Sequence, residues 1–384
     1  MKKLLLISSF VFIFVLSGPT HAHAQETSVT MKAEVLEVVG REDRVVTGVE
    51  GTQKYQTLKV KILSGPETGA IIIAKNDFLL LKKGDVFYVT HTVDNLDAID
   101  AYNVSEPYRV NTLYVIAGIF ALCVLVFGGW QGIRGLASLA ASIIVIFYLF
   151  LPGILHGYSP VLLSIGICSL IIILGSYITH GFNRTTTTAV AGMLLTILVT
   201  GLLAYWSVID GRLTGFDSEE STALAYAVSG HIDFVGLLLG GMLIGLLGVL
   251  YDAAIGQAVS VEELHRIGPH LDKWTIYKRA IRIGKEHIGA LVNTLAIAYV
   301  GASLPLLLVY SNYISAGDIT LTINREVFAS ELLRIMIGSI GLILAVPITT
   351  LVAMWIIVGK VMHSHDPAML KKEIEEIEHT SHKH

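Results

Sequence analysis

The chain has 384 residues, of which 53% are hydrophobic and only 15% charged, and its mean hydropathy is +0.66. A soluble domain carries about 25% charged residues, so this composition excludes an ordinary soluble enzyme and points to a membrane protein. The net charge of −4 is small and offers no argument for nucleic acid, which is not expected as a partner.

Residues 1–24 have the pattern of a secretory signal. Lys2 and Lys3 form a basic start, residues 4–16 are apolar, and Ala22-His23-Ala24 matches a small-residue cleavage site. The expected mature start is near Gln25, with the next region outside the cytoplasm.

Residues 25–109 read as a small extracytoplasmic β domain. Strands are expected at 29–39, 55–63, 70–74, 86–93 and 98–103. Leu58-Lys-Val-Lys-Ile62 alternates strictly, the mark of a half-buried strand. Gly40-Arg-Glu-Asp43, Ser64-Gly-Pro66 and Lys83-Gly-Asp85 supply turn signals between strands. Five short strands suggest a small, OB-like barrel. The domain has no nucleophile–base pair, metal-ligand cluster or phosphate loop, so a structural or regulatory role is expected.

Seven apolar segments follow, and each approaches the roughly 20 residues a spanning helix needs. They lie at 112–130, 136–155, 160–179, 186–208, 233–255, 288–310 and 332–358. The predicted architecture is an α-helical integral membrane bundle of seven transmembrane helices over 110–360. A His-rich cytoplasmic tail over 361–384 completes the chain. Charge agrees with that topology: Arg134, Arg184, Arg266, Lys273, Lys278, Arg279, Arg282 and Lys285 fall on predicted cytoplasmic stretches. The expected outer loops carry Arg212 and Arg325, with Arg334 near a helix entrance, and the loop at 209–231 is acidic. The expected location is the bacterial cytoplasmic membrane, with the N-terminal domain outside and the C-terminus inside.

Between residues 234 and 261, Asp252 is the only charged side chain. A carboxylate in hydrocarbon is costly and usually faces a bundle interior or a wet cavity, so it is a functional candidate by default. A structural hydrogen-bonding role, or a place near the interface, are the plainer readings. If its helix ends near Ile255, Asp252 lies close to the cytoplasmic surface. If the helix continues to Val261, Asp252 stands about 15 Å from Glu262.

The helix is dense in glycine, with Gly236-xxx-Gly240 and Gly241-xxx-Gly245 spacings that allow close helix approach. Packing inside one subunit, a dimer face and a sliding surface are all compatible with them. Such a helix is expected at the centre of the bundle, with Asp252 among protein rather than lipid.

Candidate polar neighbours for a proton or ion relay are Asn293 and Thr294 on the sixth span and Thr349 and Thr350 after Pro347 on the seventh. The proline removes one helical hydrogen bond and frees a carbonyl, or it simply kinks the helix. Glu262, Glu263, Arg282, Glu286 and His287 are candidate coupling residues around a charged connector. There Trp274, Tyr277 and Ile281 share a face, as in an interfacial amphipathic helix. Thr185-Thr-Thr-Thr188 reads as a helix start. The two cysteines, Cys123 and Cys168, lie in apolar runs and imply no disulfide framework. No metal site and no cofactor are expected. The chain has no H-E-x-x-H, G-x-S-x-G or paired-aspartate protease signature, so it is not expected to be an enzyme.

Three stretches resemble the YibE/F family of bacterial membrane proteins. They are Gly245-Leu-Leu-Gly-Val-Leu-Tyr-Asp-Ala-Ala-Ile-Gly-Gln-Ala-Val-Ser-Val-Glu-Glu-Leu264, Arg282-Ile-Gly-Lys-Glu-His-Ile288 and Asn293-Thr-Leu-Ala-Ile-Ala-Tyr-Val-Gly-Ala-Ser-Leu-Pro-Leu-Leu-Leu308. The likeness spans roughly 110–360 and implies architecture rather than substrate. Tyr251 stands where many members are expected to have a second acidic residue, which leaves one carboxylate. The stretch around Asp252, followed by Glu262-Glu263, is also similar to the aspartate helix of resistance-nodulation-division permeases and SecD/SecF. That distant likeness implies proton-coupled conformational work.

The expectation is therefore a transporter or permease, proton-coupled through Asp252 and acting on a small solute or ion. The lipid bilayer is its surroundings, and a homo-oligomer or a second membrane subunit is its expected assembly. The alternative is a non-transporting scaffold, sensor or assembly factor whose β domain binds a ligand or partner.

Overall fold

The computed structural model describes residues 27–45, 52–77, 79–94, 99–228, 232–314 and 319–358. The expected signal segment and His-rich tail lie outside the described residues. The chain divides between Phe127 and Gly128 into two compact units.

In the first unit, strands β1 (Thr27–Val45), β2 (Thr52–Ser64), β3 (Ile71–Asn76), β4 (Val86–Asp94) and β5 (Ile99–Pro107) close into a barrel in the order β1-β2-β3-β5-β4. The long β1 serves two partners, pairing antiparallel with β2 through Ala33↔Ile62 and with β4 through Ala33↔Phe87. The period-2 pattern explains the core. Met31, Ala33 and Val35 point inward from β1, Leu58, Val60 and Ile62 from β2, and Phe87 and Val89 from β4. Their sequence neighbours Lys59 and Lys61 stay outside.

One polar knot is buried with them. Gln56 Nε2 donates to the Leu81 carbonyl at 3.0 Å and Gln56 Oε1 accepts from the Leu81 amide at 2.8 Å. Asn76 Nδ2 also donates to Gln56 Oε1, at 2.8 Å. Each buried donor thereby finds an acceptor, and the segment after β3 is held against the barrel.

Helix α1 (Val110–Val145) passes through one π turn (Ile146–Phe150) into α2 (Leu151–Leu155). This apolar stretch is 46 residues long. It is interrupted at Gly129, where φ is 53° and ψ −136°, a backbone region glycine enters without steric cost. Two helices meet at that break, so the spans expected at 112–130 and 136–155 join at Gly129 with no loop between them. Residues 131–135 contain no proline, so helical bonding resumes at once.

The remaining helices are α3 (Pro160–His180), α4 (Arg184–Asp210), α5 (Glu219–Ala227), α6 (Phe234–Ile267), α7 (Lys273–Ala302), α8 (Leu304–Ile314), α9 (Ile319–Asn324) and α10 (Glu326–Ile356). Their starts follow from capping residues that accept otherwise unpaired amides. Asn183 accepts from Thr186 N, Asp233 from Gly236 N and Asp272 from Thr275 N.

Among the described residues, five helices are long and apolar enough to cross a membrane, or up to six if the bent α7–α8 pair is one span. That pair bends by 68°, which revises the straight span expected at 288–310. Pro305 has no N–H to continue the ladder, so the chain turns at Ser303. The fifth span, expected to end near 255, continues to Ile267, because nothing breaks the helix before Gly268-Pro269. The seventh begins at Glu326 rather than 332.

Helix α6 is central, packing against α3, α4, α7 and α10. Its residues Leu243, Leu246, Leu250, Ala254 and Ala258 join Met193 and Ile197 of α4 and Leu342 and Ala345 of α10 in one core. Small residues set the closest approaches. A Cβ on Gly192 of α4 would lie 2.9 Å from the Thr349 Cα of α10. Two turns away, a Cβ on Gly341 would lie 2.7 Å from Thr200 Oγ1. The two helices thus interlock antiparallel, each offering a glycine to the other's threonine.

Candidate functional site

Helices α3 and α6 run parallel and in step. A Cβ on Gly236 would meet Pro160 at 3.0 Å, and one on Gly240 would strike the Ser164 side chain. Near the other end, Tyr251 Oη donates to the Gly175 carbonyl at 3.3 Å, across a separation of 76 residues. All three contacts share that separation, so Asp252 stands level with Ser176, about one helical turn from the end of α3 at His180. The His180 and Tyr251 rings, 5.8 Å apart, agree. Asp252 is thus well inside α6, whose end at Ile267 lies about 22 Å further on, yet it is near the end of the neighbouring α3.

Asp252 is exposed in the chain, which corrects the expectation of a place among the packed helices. At 3.6 residues per turn, Leu246, Leu250, Ala253, Ala254 and Gln257 take the buried side. Gly241, Gly248, Asp252 and Gly256 share the other. A Cβ on Gly241, Gly248 or Gly256 would meet nothing within 4 Å. Among the described residues no hydrogen bond or ion pair engages the Asp252 carboxylate. The glycines therefore divide in use: Gly236 and Gly240 admit α3, Gly245 lies against the Tyr299 hydroxyl of α7, and the rest leave an open strip.

The candidate relay residues lie on two other helices, α7 and α10. Asn293 and Thr294 are exposed on α7, and Thr294 Oγ1 donates to the Ala290 carbonyl of its own helix at 2.9 Å. Thr349 and Thr350 are fully buried on α10, which packs on the opposite side of α6. Thr350 Oγ1 donates to the Val346 carbonyl at 2.6 Å, not to the Ile343 carbonyl that Pro347 leaves without its usual donor. Among the described residues Thr349 Oγ1 has no partner, nor do the buried hydroxyls of Thr188 and Thr200 on α4 or Ser164 on α3.

The candidate coupling residues are dispersed as well. Glu262 accepts from Thr185 Oγ1 at 2.6 Å, tying α6 to the first turn of α4, and Glu263 pairs with Arg266 at 2.6 Å. Arg282, Glu286 and His287 are exposed on α7. The connector helix leads straight into the sixth span. It is the first turns of α7, held to the bundle by buried Ile276, Ala280 and Gly284, while Gln257 Nε2 donates to the Ala280 carbonyl at 2.8 Å. Trp274 is exposed, and Tyr277 and Ile281 sit at the edge. No group of three or more His, Cys, Asp or Glu side chains able to hold a metal occurs among the described residues.

A second polar assembly lies at the opposite end of the bundle and was not singled out from the sequence. Arg334 of α10 donates to Glu331 at 2.7 Å and to Asp217 at 3.2 Å, with all three largely shielded. Beside it Glu326 accepts from the amides of Thr214 and Gly215, both at 2.7 Å. The turn after α4 is thereby clamped to the start of α10. A Glu331–Arg334 pair at i, i+3 inside an apolar helix is a sequence signal for such a site. Asp217, 117 residues away, has none.

The helices and their packing define the class: a membrane protein in which several apolar helices pack around one glycine-rich helix, carried on one chain with a small β-barrel. The YibE/F-like protein family model matches residues 116–359. The chain belongs to the YibE/F-like family. No curated protein and no solved structure matches it.

Proposed function

We propose that this protein is a transporter or permease in which Asp252 binds and releases a proton as the helices rearrange. The observation that carries the reading is the position of that carboxylate. It occupies an open glycine strip on the central helix, beside the Tyr251 contact to α3. A proton, a cation or a hydrogen-bonding helix are the groups that neutralise such a charge in hydrocarbon. Changing its protonation changes which helix surface the strip accepts. Substrate is a small solute or ion, and Asn293, Thr294, Thr349 and Thr350 act from their own helices rather than as one shell around Asp252.

The finer architecture belongs to the same proposal. The strand order β1-β2-β3-β5-β4, with β1 closing the barrel, supports an OB-like domain. At about 1.5 Å per residue the 46-residue run is about 69 Å long, more than twice a hydrocarbon core of about 30 Å. Two crossings separated at Gly129, with the later helices and the α7–α8 pair, make seven. The barrel then lies outside the bacterial cytoplasmic membrane and the C-terminus inside.

A scaffold or sensor is the second reading. It rests on Ile71 and Ile73, which are 57% and 52% exposed on the barrel, a surface suited to a partner. The discriminating experiment is proton flux into proteoliposomes under an imposed pH gradient, read by an internal pH dye. Transport predicts flux through wild-type protein, lost in Asp252→Asn and retained in part by Asp252→Glu. Equal, background-level flux in all three removes the transporter reading.

A further inference from the structure

Helix α7 begins with a dense row of cations. Between residues 273 and 286 the chain carries Lys273, Lys278, Arg279, Arg282 and Lys285, with Glu286 the sole acid. The helix is fixed to the bundle by Ile276, Ala280 and Gly284, four residues apart and on one face. Helical geometry then turns Trp274, Lys278, Arg282 and Lys285 directly away from the bundle. All four are exposed.

The face is arranged rather than merely charged. The Trp274 ring stacks on Tyr277 at 5.0 Å and 7°, and Lys278 Nζ lies 5.4 Å from the indole centroid. Arg282 and Lys285 form no ion pair among the described residues. Glu286, one turn beyond Arg282, leaves the face strongly positive.

The same helix continues unbroken to Ala302, and Ile283 and Ile297 are exposed along it. The indole and the cations fill residues 274–285, with Ile283 among them, and the rod then continues apolar through Ile297. That order matches the passage from headgroups to acyl chains. Lys278 and Lys285 are about 10 Å apart along the axis and point outward, so they do not enclose a single soluble anion. They suit a row of phosphates at a membrane surface.

We propose that the outward face of Trp274, Lys278, Arg282 and Lys285 binds the headgroups of anionic phospholipids. This goes beyond the transport reading and does not depend on it. The test is native mass spectrometry of the full-length protein in detergent, titrated with phosphatidylglycerol or phosphatidylcholine. Wild-type protein should retain phosphatidylglycerol preferentially, and K278Q/R282Q/K285Q should lose about tenfold or more of that preference, given the attraction of each basic residue to an anionic surface. K54Q/K59Q/K61Q, an equal loss of three charges on the barrel, should leave it unchanged.

A readout independent of the triple variant is fluorescence quenching by brominated phosphatidylglycerol. The quenched emission should fall in Trp274→Phe. Equal retention of both lipids, a preference that survives the triple variant, or quenching unaffected by Trp274→Phe overturns the proposal. Full competition by glycerol phosphate at equal concentration also overturns it, in favour of a soluble-anion site.

Discussion

Tyr251 donates its hydroxyl to the carbonyl of Gly175 at 3.3 Å, and this bond fixes the position of Asp252 against α3. The tyrosine takes the inward side of α6 at that level and the aspartate the open side. A residue that the family resemblance marks as a missing acid is thus a structural anchor. It holds α6 beside the carboxylate, and any movement of α6 along α3 has to break it.

The interlocked pair of α4 and α10 should tolerate no added volume at Gly192. A Cβ there would lie 2.9 Å from backbone Cα of Thr349, so trimming the threonine side chain does not relieve it. Gly192→Val is expected to destabilise the bundle by about 1–3 kcal/mol or more, the usual cost of overpacking. Gly248→Ala, on the open strip, should leave thermal stability in detergent within about 0.5 kcal/mol of wild type. Comparable losses in both variants would contradict this packing.

Removing one member of the Arg334 cluster should cost more than removing two. Arg334→Gln leaves Asp217 and Glu331 facing each other in a shielded place, and a loss of about 1–3 kcal/mol is expected. Adding Glu331→Gln should recover part of it, because one of the two stranded charges is then gone. A double-mutant cycle of chemical denaturation measures the coupling, and strict additivity would rule it out.

The start of α7 should loosen in acid. Hydrogen bonds from the Thr275 hydroxyl and amide hold the Asp272 carboxyl below its ordinary value of 3.8. A group with a lowered folded-state pKa contributes its stability above the unfolded value, and that contribution is lost as pH falls through the folded one. Amide exchange at Thr275 and Ile276, compared on either side of that range, should show less protection on the acid side. Asp272→Ala should lack the pH-dependent part, and the same acid response in that variant would contradict the cap.

The barrel was legible because its pattern is local. Alternation at 58–62 and the turn signals at 64–66 and 83–85 set the strands, but the turn expected at Gly40-Arg-Glu-Asp43 is strand instead, because pairing with β2 carries β1 on to Val45. The helices were legible as apolar runs, but their ends were not. Gly129 breaks a helix where no charge signals it, and the residues beyond Ile255 continue one because no glycine–proline pair intervenes until 268. The site was least legible. Asp252 stands out by its charge alone, but which side of α6 it occupies depends on the packing of α3 and α10. The Asp217–Arg334 contact joins residues whose proximity only the folded bundle creates.

The central claim is that the Asp252 carboxyl itself takes up a proton in the membrane. Infrared difference spectroscopy of the reconstituted protein, recorded across a stepwise change in pH, observes that event directly. The account predicts a protonated-carboxyl band that appears on the acid side in wild-type protein and is missing in Asp252→Asn. Identical difference spectra for the two proteins would contradict it.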